Sequence, residues 1–448
     1  MAHDTIAAIA TAHGVGSIAI IRISGADAYA ITCKLSKRSD LKVRHATLTP
    51  LYDKNGVLID EVIALYFKAP KSFTGEDIVE LQCHGGHIVA STILDAVLDE
   101  RARLAEPGEF SKRAFLNGRI DLSEAEAIAK LIEAKSEDAA KILARQIKGE
   151  LREFIELVRD ELLHILAYSE VSIDYAEEDL PEDIMGQIQE KLDALYVRLE
   201  RTLEASRSRR GLMQGFKVSI IGKPNVGKSS LLNALLHYNR AIVSDIAGTT
   251  RDTIEEQVRV GSHLIRMVDT AGIRHAGDEI ERIGIERSME AIEESDIVIA
   301  LFDASRPIDN EDDAILDLIE THTAQRDVIV VLNKSDLTCK IDTVRFNGYD
   351  ALSMNTKADT SKLMTRLESL MDQNNRSDEL MLISSRQIDA VKKTLDEIEA
   401  AKIPLKDQEL EIFSFHLNTA LHSMASITRP FENDEMLDRM FGSFCLGK

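Results

Sequence analysis

Lys228, Ser229, Asp269 and Asp336 are the residue types, in the right order, from which a nucleoside triphosphate site is built. The first two close the run Gly222-Lys-Pro-Asn-Val-Gly227-Lys228-Ser229, which has the spacing G-x-x-x-x-G-K-S. Its glycines let backbone N–H groups turn toward phosphate oxygens. Lys228 offers a point charge to the outer phosphates and Ser229 a hydroxyl to Mg²⁺. The apolar run Phe216-Lys-Val-Ser-Ile-Ile221 precedes the motif and Ser230-Leu-Leu-Asn-Ala-Leu-Leu236 follows it. That is the strand–loop–helix context the motif requires, with the positive end of the helix toward the phosphates.

Val268-Asp269-Thr270-Ala271-Gly272 ends a second apolar stretch. Asp269 is suited to hold Mg²⁺ through water, and the Gly272 backbone to meet a γ-phosphate. Between the two motifs lies Gly248-Thr249-Thr250-Arg251-Asp252. Here Thr250 is placed to add a second hydroxyl to Mg²⁺ when the γ-phosphate is present, the way switch loops sense a nucleotide. The base is read by Asn333-Lys334-Ser335-Asp336, after the apolar Val328-Ile-Val-Val-Leu332. The Asp336 carboxylate suits guanine N1–H and its 2-amino group. Adenine has no such donor pair and would leave the carboxylate unpaired. Ser353-Met354-Asn355 falls where a supporting base-side loop is expected. Order and spacing resemble the translation-factor class of P-loop GTPases. The expected GTP contacts are Asn225, Val226, Gly227, Lys228, Ser229 and Ser230; Ser244, Asp245, Ile246, Ala247, Gly248, Thr249 and Thr250; Asp269, Thr270, Ala271 and Gly272; Asn333, Lys334 and Asp336; and Ser353, Met354 and Asn355.

Many such proteins orient the attacking water with a Gln directly after Asp-x-x-Gly. That position is Ile273, whose side chain cannot hold a water. The nearest polar candidates lie in Gly277-Asp-Glu-Ile-Glu281-Arg282-Ile-Gly-Ile-Glu286, which on spacing alone reads more readily as a solvated, charged helix start. No Arg is obviously placed as a finger, so a monovalent cation held by the Asn225 amide oxygen is an alternative source of positive charge.

These motifs need an α/β domain to position them, and strands alternate with helices from Gly215 to about Asp372. A chain of 448 residues is too long for one core. Up to about Asn117 the texture is mixed strands and turns, with strands at Ile18–Ile23 and Glu61–Phe67 and turns at Ser72–Asp77 and Gly85-Gly86. A long helical region runs to about Leu212, opened by a capping box at Ser123 and Glu126. It carries Leu151, Ile155, Val158, Leu162, Ile165 and Leu166 at helical spacing, and the acidic segment Asp174–Asp183 interrupts it. Gln373-Asn-Asn-Arg-Ser377 is a polar linker, after which helical periodicity returns. The expected architecture is multidomain α/β plus α: an α+β N-terminal domain (1–118), a discontinuous helical domain (119–212 and 376–448), and an inserted P-loop domain with a mostly parallel sheet (213–375).

The formal net charge of −22 argues against a pervasive basic surface, so nucleic acid must be met on a local patch or with a partner's help. Cys33, Cys83, Cys339 and Cys445 form no CxxC pair, which argues against a zinc ribbon or disulfide framework and fits a reducing compartment. No signal peptide or membrane-spanning run is read, so the expectation is cytoplasmic, with no membrane partner. Arg22 within an apolar strand and Glu80 between Val79 and Leu81 fit an internal ion pair, outward-facing positions or a polar ligand. Cys83-His84-Gly-Gly-His87 fits a tight turn better than a metal site. The C-terminal Cys445-Leu-Gly-Lys448 lacks the aliphatic pair of a prenylation box.

Asp4-Thr-Ile-Ala-Ala8, Arg22-Ile-Ser-Gly25, Ser72-Phe-Thr-Gly-Glu-Asp77, Pro107-Gly-Glu-Phe110, Arg113-Ala-Phe-Leu-Asn117, the inserted domain and the terminal Cys-Leu-Gly-Lys together resemble the MnmE (TrmE) family of tRNA-modification GTPases. The resemblance covers essentially the whole chain. It implies a folate-binding N-terminal domain that forms a homodimer. It also implies an FAD-dependent partner, MnmG, and installation of an aminomethyl-type group at C5 of the wobble uridine of certain tRNAs, with a folate supplying the methylene. Arg22, Glu80, Arg119 and Lys448 become 5-formyltetrahydrofolate contacts, Glu80 suiting the donor edge of a pterin. K⁺ is expected on Asn225, Ser244, Ile246 and Thr249, Mg²⁺ on Ser229 and Thr250, and Glu281 becomes the water-orienting catalytic residue. Cys445 matches the family's terminal cysteine, a possible reactive group. Ile273 stands where the family more often has Leu. Two other readings are a regulatory GTPase of ribosome or RNA assembly, which would usually add a basic domain, and a dynamin-like protein, which would need a membrane-facing segment.

Overall fold

The computed structural model describes residues 4–174 (except 13 and 15), 184–238, 256–267, 289, 292–293, 295–322, 327–356, 360–373, 380–429, 434–444 and 447. The chain divides into two compact units: residues 1–132, 146–192 and 393–448 in one, and residues 133–145 and 193–392 in the other.

The first unit is built on a six-stranded sheet of order β3-β4-β5-β2-β1-β6. The strands are β1 (Ile6–Ile9), β2 (Ile18–Ser24), β3 (Thr47–Tyr52), β4 (Leu58–Phe67), β5 (Ile78–His84) and β6 (Arg103–Leu104). All pairings are antiparallel except β1 with β6. Period-two alternation sorts the side chains. Ala7, Ile21, Ile23, Val79 and Leu81 enter the core shared with the helices Ala28–Ser36 and His87–Leu98. Ile6 and Ala8 point the other way, toward Ala105 and Phe110. The region is α+β as expected, and the reading of its texture as strands and turns alone is corrected by the helices Ala28–Ser36, His87–Leu98 and Glu109–Leu116.

The helical part of this unit follows its apolar stripe. In the helix Glu150–Asp174, Leu151, Ile155, Val158, Leu162 and Ile165 are at most 1% exposed. It packs against the helix Leu410–Thr428, joined also by Ser169 and Ser414 hydroxyls 3.2 Å apart. The capping box lies two residues before the expected one. The Asp121 carboxylate accepts from the Glu124 N–H at 2.9 Å and Glu124 from the Asp121 N–H at 3.0 Å. Ser123 instead sits inside the helix Leu122–Glu133 and donates to Asp121 at 2.6 Å. Leu122 is fully buried, which places the first turn there.

The second unit holds a sheet of order β12-β11-β10-β7-β9-β8. Its strands are β7 (Phe216–Ile221), β8 (Glu256–Val260), β9 (His263–Met267), β10 (Ile297–Asp303), β11 (Asp327–Asn333) and β12 (Asp350–Ser353). Only β8 runs antiparallel, as the expected mostly parallel sheet requires. β10 is buried along its whole length, the signature of a strand covered on both faces. The β8–β9 hairpin docks on the helix Glu137–Ile147, with Ser262 donating to Asp138 at 2.8 Å and Arg259 reaching Glu137 at 2.7 Å.

Candidate functional site

The phosphate loop spans the end of β7 and the start of the helix Lys228–Tyr238. Gly222, Asn225 and Gly227 have φ of 151°, 65° and 112°. The bends are enforced by neighbours: a Cβ on Gly227 would stand 2.3 Å from the Asn333 amide nitrogen. Lys228 Nζ donates to the Lys223 carbonyl at 3.0 Å and to the Gly222 carbonyl. Burial pushes the Lys228 pKa below the ordinary lysine value. An anionic phosphate beside it would reverse that cost, so the lysine is poised for a polyanion. Ser229 lies exposed in the first turn of the helix, where its hydroxyl can reach a cation held by the phosphates.

The loop after β11 is tied to the phosphate loop through Asn333, the last residue of β11. Its Nδ2 donates to the Val226 carbonyl at 2.7 Å, and its Oδ1 accepts from the Thr356 N–H at 3.0 Å. Lys334 has φ of 62°, and its Nζ is 2.6 Å from Asp303 at the end of β10. Burial raises the Asp303 pKa, but Lys334 and Ser305 outweigh it and hold the carboxyl below the ordinary value. The chain then turns so that Asp336 is exposed. Met354 is buried; its N–H donates to the Leu332 carbonyl at 3.0 Å and its own carbonyl accepts from Ser335 at 3.3 Å. The described members of the motifs are thus brought together: Asn225, Val226 and Gly227 on the loop, Lys228, Ser229 and Ser230 in the first turn of the helix after it, Asn333, Lys334 and Asp336 from the end of β11, and Ser353, Met354 and Asn355 beside them from the end of β12. Asp303, Thr356 and Lys223 are parts of the assembly that motif spacing does not reveal. Ser244, Asp245, Ile246, Ala247, Gly248, Thr249, Thr250, Asp269, Thr270, Ala271, Gly272, Glu281, Cys445 and Lys448 lie outside the described residues.

In the first unit, Arg22 and Glu80 are register partners across β2 and β5, and Arg22 also faces Ala8 of β1. They therefore lie on the face of Ala8 and Phe110, away from the helices Ala28–Ser36 and His87–Leu98. Arg22 Nε and Nη2 contact the same oxygen, Glu80 Oε1, at 3.0 and 2.9 Å. The guanidinium lies 5.7 and 5.6 Å from the rings of Phe73 and Phe110, and Nη1 donates to the Gly447 carbonyl at 3.4 Å. Gly447 is thereby brought to Arg22. Arg119 makes a different contact, Nε donating to the Ser72 carbonyl at 3.0 Å. His84 and His87 turn to Asp60 and Ser91.

Arg113 organises the loops around this face. Only 4% exposed, it holds Asp4 at 2.9 Å, Glu109 at 2.9 Å and Glu76 at 3.2 Å. Glu76 accepts from Ser24 at 2.7 Å, and Asn117 donates to the Thr74 carbonyl at 2.7 Å. Burial raises the Glu109 pKa, but bonds from Arg103, the Glu106 N–H and Arg113 hold it below the ordinary glutamate value.

A mostly parallel sheet with a phosphate loop after β7 and an Asn-Lys-x-Asp motif after β11 defines a GTP hydrolase of the P-loop class. A model described as the MnmE helical domain matches residues 122–445, and one described as the N-terminus of the GTP-binding protein TrmE matches residues 5–119. The tRNA modification GTPase MnmE of Sulfurimonas denitrificans is 66% identical over 448 residues, covering 100% of both chains. Those of a Sulfurovum species and of Wolinella succinogenes are 60% and 50% identical over 99% of this chain and 99% and 98% of theirs. The chain belongs to the MnmE family.

Proposed function

We propose that this protein is a K⁺-stimulated GTPase. It hydrolyses GTP to GDP and phosphate and, with the FAD-dependent MnmG, helps add a carboxymethylaminomethyl-type group to C5 of the wobble uridine of certain tRNAs. The observation that carries this reading is the identity of 66% along the whole length of a tRNA modification GTPase, with both base and phosphate motifs intact. The domain limits 1–118, 119–212, 213–375 and 376–448 belong to the same reading, as do a homodimer and a cytoplasmic location. Among the described residues no helix is long and apolar enough to cross a membrane.

The residues fit the groups this reading needs. Ser229, with Thr250, would hold Mg²⁺, which supplies positive charge to the phosphate oxygens. Asn225, exposed on the phosphate loop, would offer its amide oxygen to K⁺ together with Ser244, Ile246 and Thr249. Glu281 would orient the water that Ile273 cannot hold. Arg22 uses one Glu80 oxygen for both of its bonds, so Oε2 is the atom suited to a pterin donor edge. Phe73 and Phe110 supply apolar walls, with Arg119 and Lys448 as further folate contacts. Cys445 belongs to the same reading as a reactive group.

Nucleoside analysis of tRNA from a strain lacking this protein tests the proposal. Loss of the modified wobble uridine, restored by the wild-type chain, is expected. Unchanged wobble uridines would sink it and leave a regulatory GTPase of RNA assembly.

A further inference from the structure

Lys223, the second residue of the phosphate loop, has no role in the chemistry above. Its side chain is 8% exposed, and Nζ lies 2.6 Å from Asp309 Oδ2 and 2.6 Å from Asp312 Oδ2. Those carboxylates form the reciprocal capping box of the helix Asn310–His322. Asp309 accepts from the Asp312 N–H at 3.2 Å, and Asp312 from the Asp309 N–H at 3.2 Å. The helix is anchored by Leu316 and Ile319 in the core around Phe302. Burial works against the Lys223 charge, but bonds to both aspartates outweigh it and raise its pKa above the ordinary lysine value.

We propose that Lys223 is a positioning residue that ties the phosphate loop to this helix cap, and that it does not act as a cation for the phosphates. Two carboxylates already face its single charge, so little field remains for a third anion. Its own carbonyl accepts from Lys228 at 3.0 Å, so the tie fixes the main chain on which the phosphate-binding lysine rests. Once Lys228 turns to a nucleotide, the left-handed Asn225, at φ 65°, is held by two ties from outside the loop, Asn333 to the Val226 carbonyl on one side and Lys223 to the helix cap on the other. The inference rests on GDP binding by this loop, which titration of the wild-type chain tests on its own.

The two roles predict opposite signs. In a titration of the full chain with a fluorescent GDP analogue, D312N and K223M each weaken binding about tenfold, and K223R stays within about threefold of wild type. Were Lys223 a phosphate cation, D312N would free its charge and tighten binding. D312N binding as tightly as wild type, or more tightly, overturns the proposal. So does a lowered urea midpoint with unchanged GDP affinity, which marks a purely structural salt bridge. If D312N and K223M fail to fold, D309N decides, since Asp309 is 56% exposed. It should weaken GDP binding about threefold, and equal or tighter binding overturns the tie.

Discussion

Asp336 stands exposed two residues after Lys334, whose φ is 62°. Asp336→Asn should weaken GTP binding by about 2–4 kcal/mol, roughly 30- to 1000-fold, and relax base preference. Competition between GTP and other nucleotides measures this; unchanged guanine selectivity would remove Asp336 from base reading. Gly227→Ala sets a Cβ against the Asn333 amide at a backbone φ of 112°. Because that amide is bonded on both sides, the clash cannot be relieved by a free side-chain end. A loss of GDP affinity of more than about tenfold is expected, and isothermal titration showing wild-type affinity would contradict it. Glu281→Ala should bind GTP normally while kcat falls by at least about 10²-fold; near-normal single-turnover hydrolysis would return Glu281 to a solvated surface role. At this scale Lys228, Ser229 and Asp336 are legible because their spacing is local. Lys223 is not, since its partners lie 86 and 89 residues away and its own position in the motif admits any residue.

Among the elements, the loops on the outer face of the N-terminal sheet hang on Arg113. Removing it takes a charged donor from Glu76 and Glu109, although Glu109 keeps Arg103, a change worth about 1–3 kcal/mol. The sign with pH follows from Glu109, whose carboxyl is held below its ordinary value of 4.5. A carboxylate depressed in the folded state contributes stability above that value and loses it as pH falls through the lower, folded one. Acid unfolding of this unit should therefore set in below about pH 4.5, and Arg113→Met should move the midpoint upward in a circular dichroism titration. An unmoved midpoint would show that the network is not coupled to folding. The strands β2 and β4 and the stripe from Leu151 to Ile165 were readable because periods of two and 3.6 stand out. The helix His87–Leu98 was not, because its sequence HIVASTILDAVL is rich in β-branched residues and becomes helical by packing on the sheet. Asp121 escaped notice as a cap because a Ser–Glu pair two residues on offers the same spacing.

For the whole molecule, the proposed function leaves turnover to groups drawn from a wider area, because Ile273 stands where many such proteins have Gln. GTP hydrolysis should be faster in K⁺ than in Na⁺ by about tenfold, roughly 1.4 kcal/mol in the barrier. Asn225→Ala should remove that difference while GDP still binds. Equal rates in the two salts would detach Asn225 from any cation. The overall architecture was legible from where the texture of the sequence changes. The placement of residues 133–145 with the α/β unit was not, because it depends on the β8–β9 hairpin meeting Glu137 and Asp138 across more than a hundred residues.

The discontinuity of the first unit also sets a timetable for its making. The helix Glu150–Asp174 buries its stripe against Leu410–Thr428, and Arg22 is bonded to Gly447, the second-last residue. From Asp174 to Leu410 a ribosome adds 236 residues, at roughly 5–20 residues per second. For about 10–50 seconds the nascent chain therefore carries Leu151, Ile155, Val158, Leu162 and Ile165 without their partner, while the intervening α/β unit is completed. That interval is when a general chaperone has most to shield.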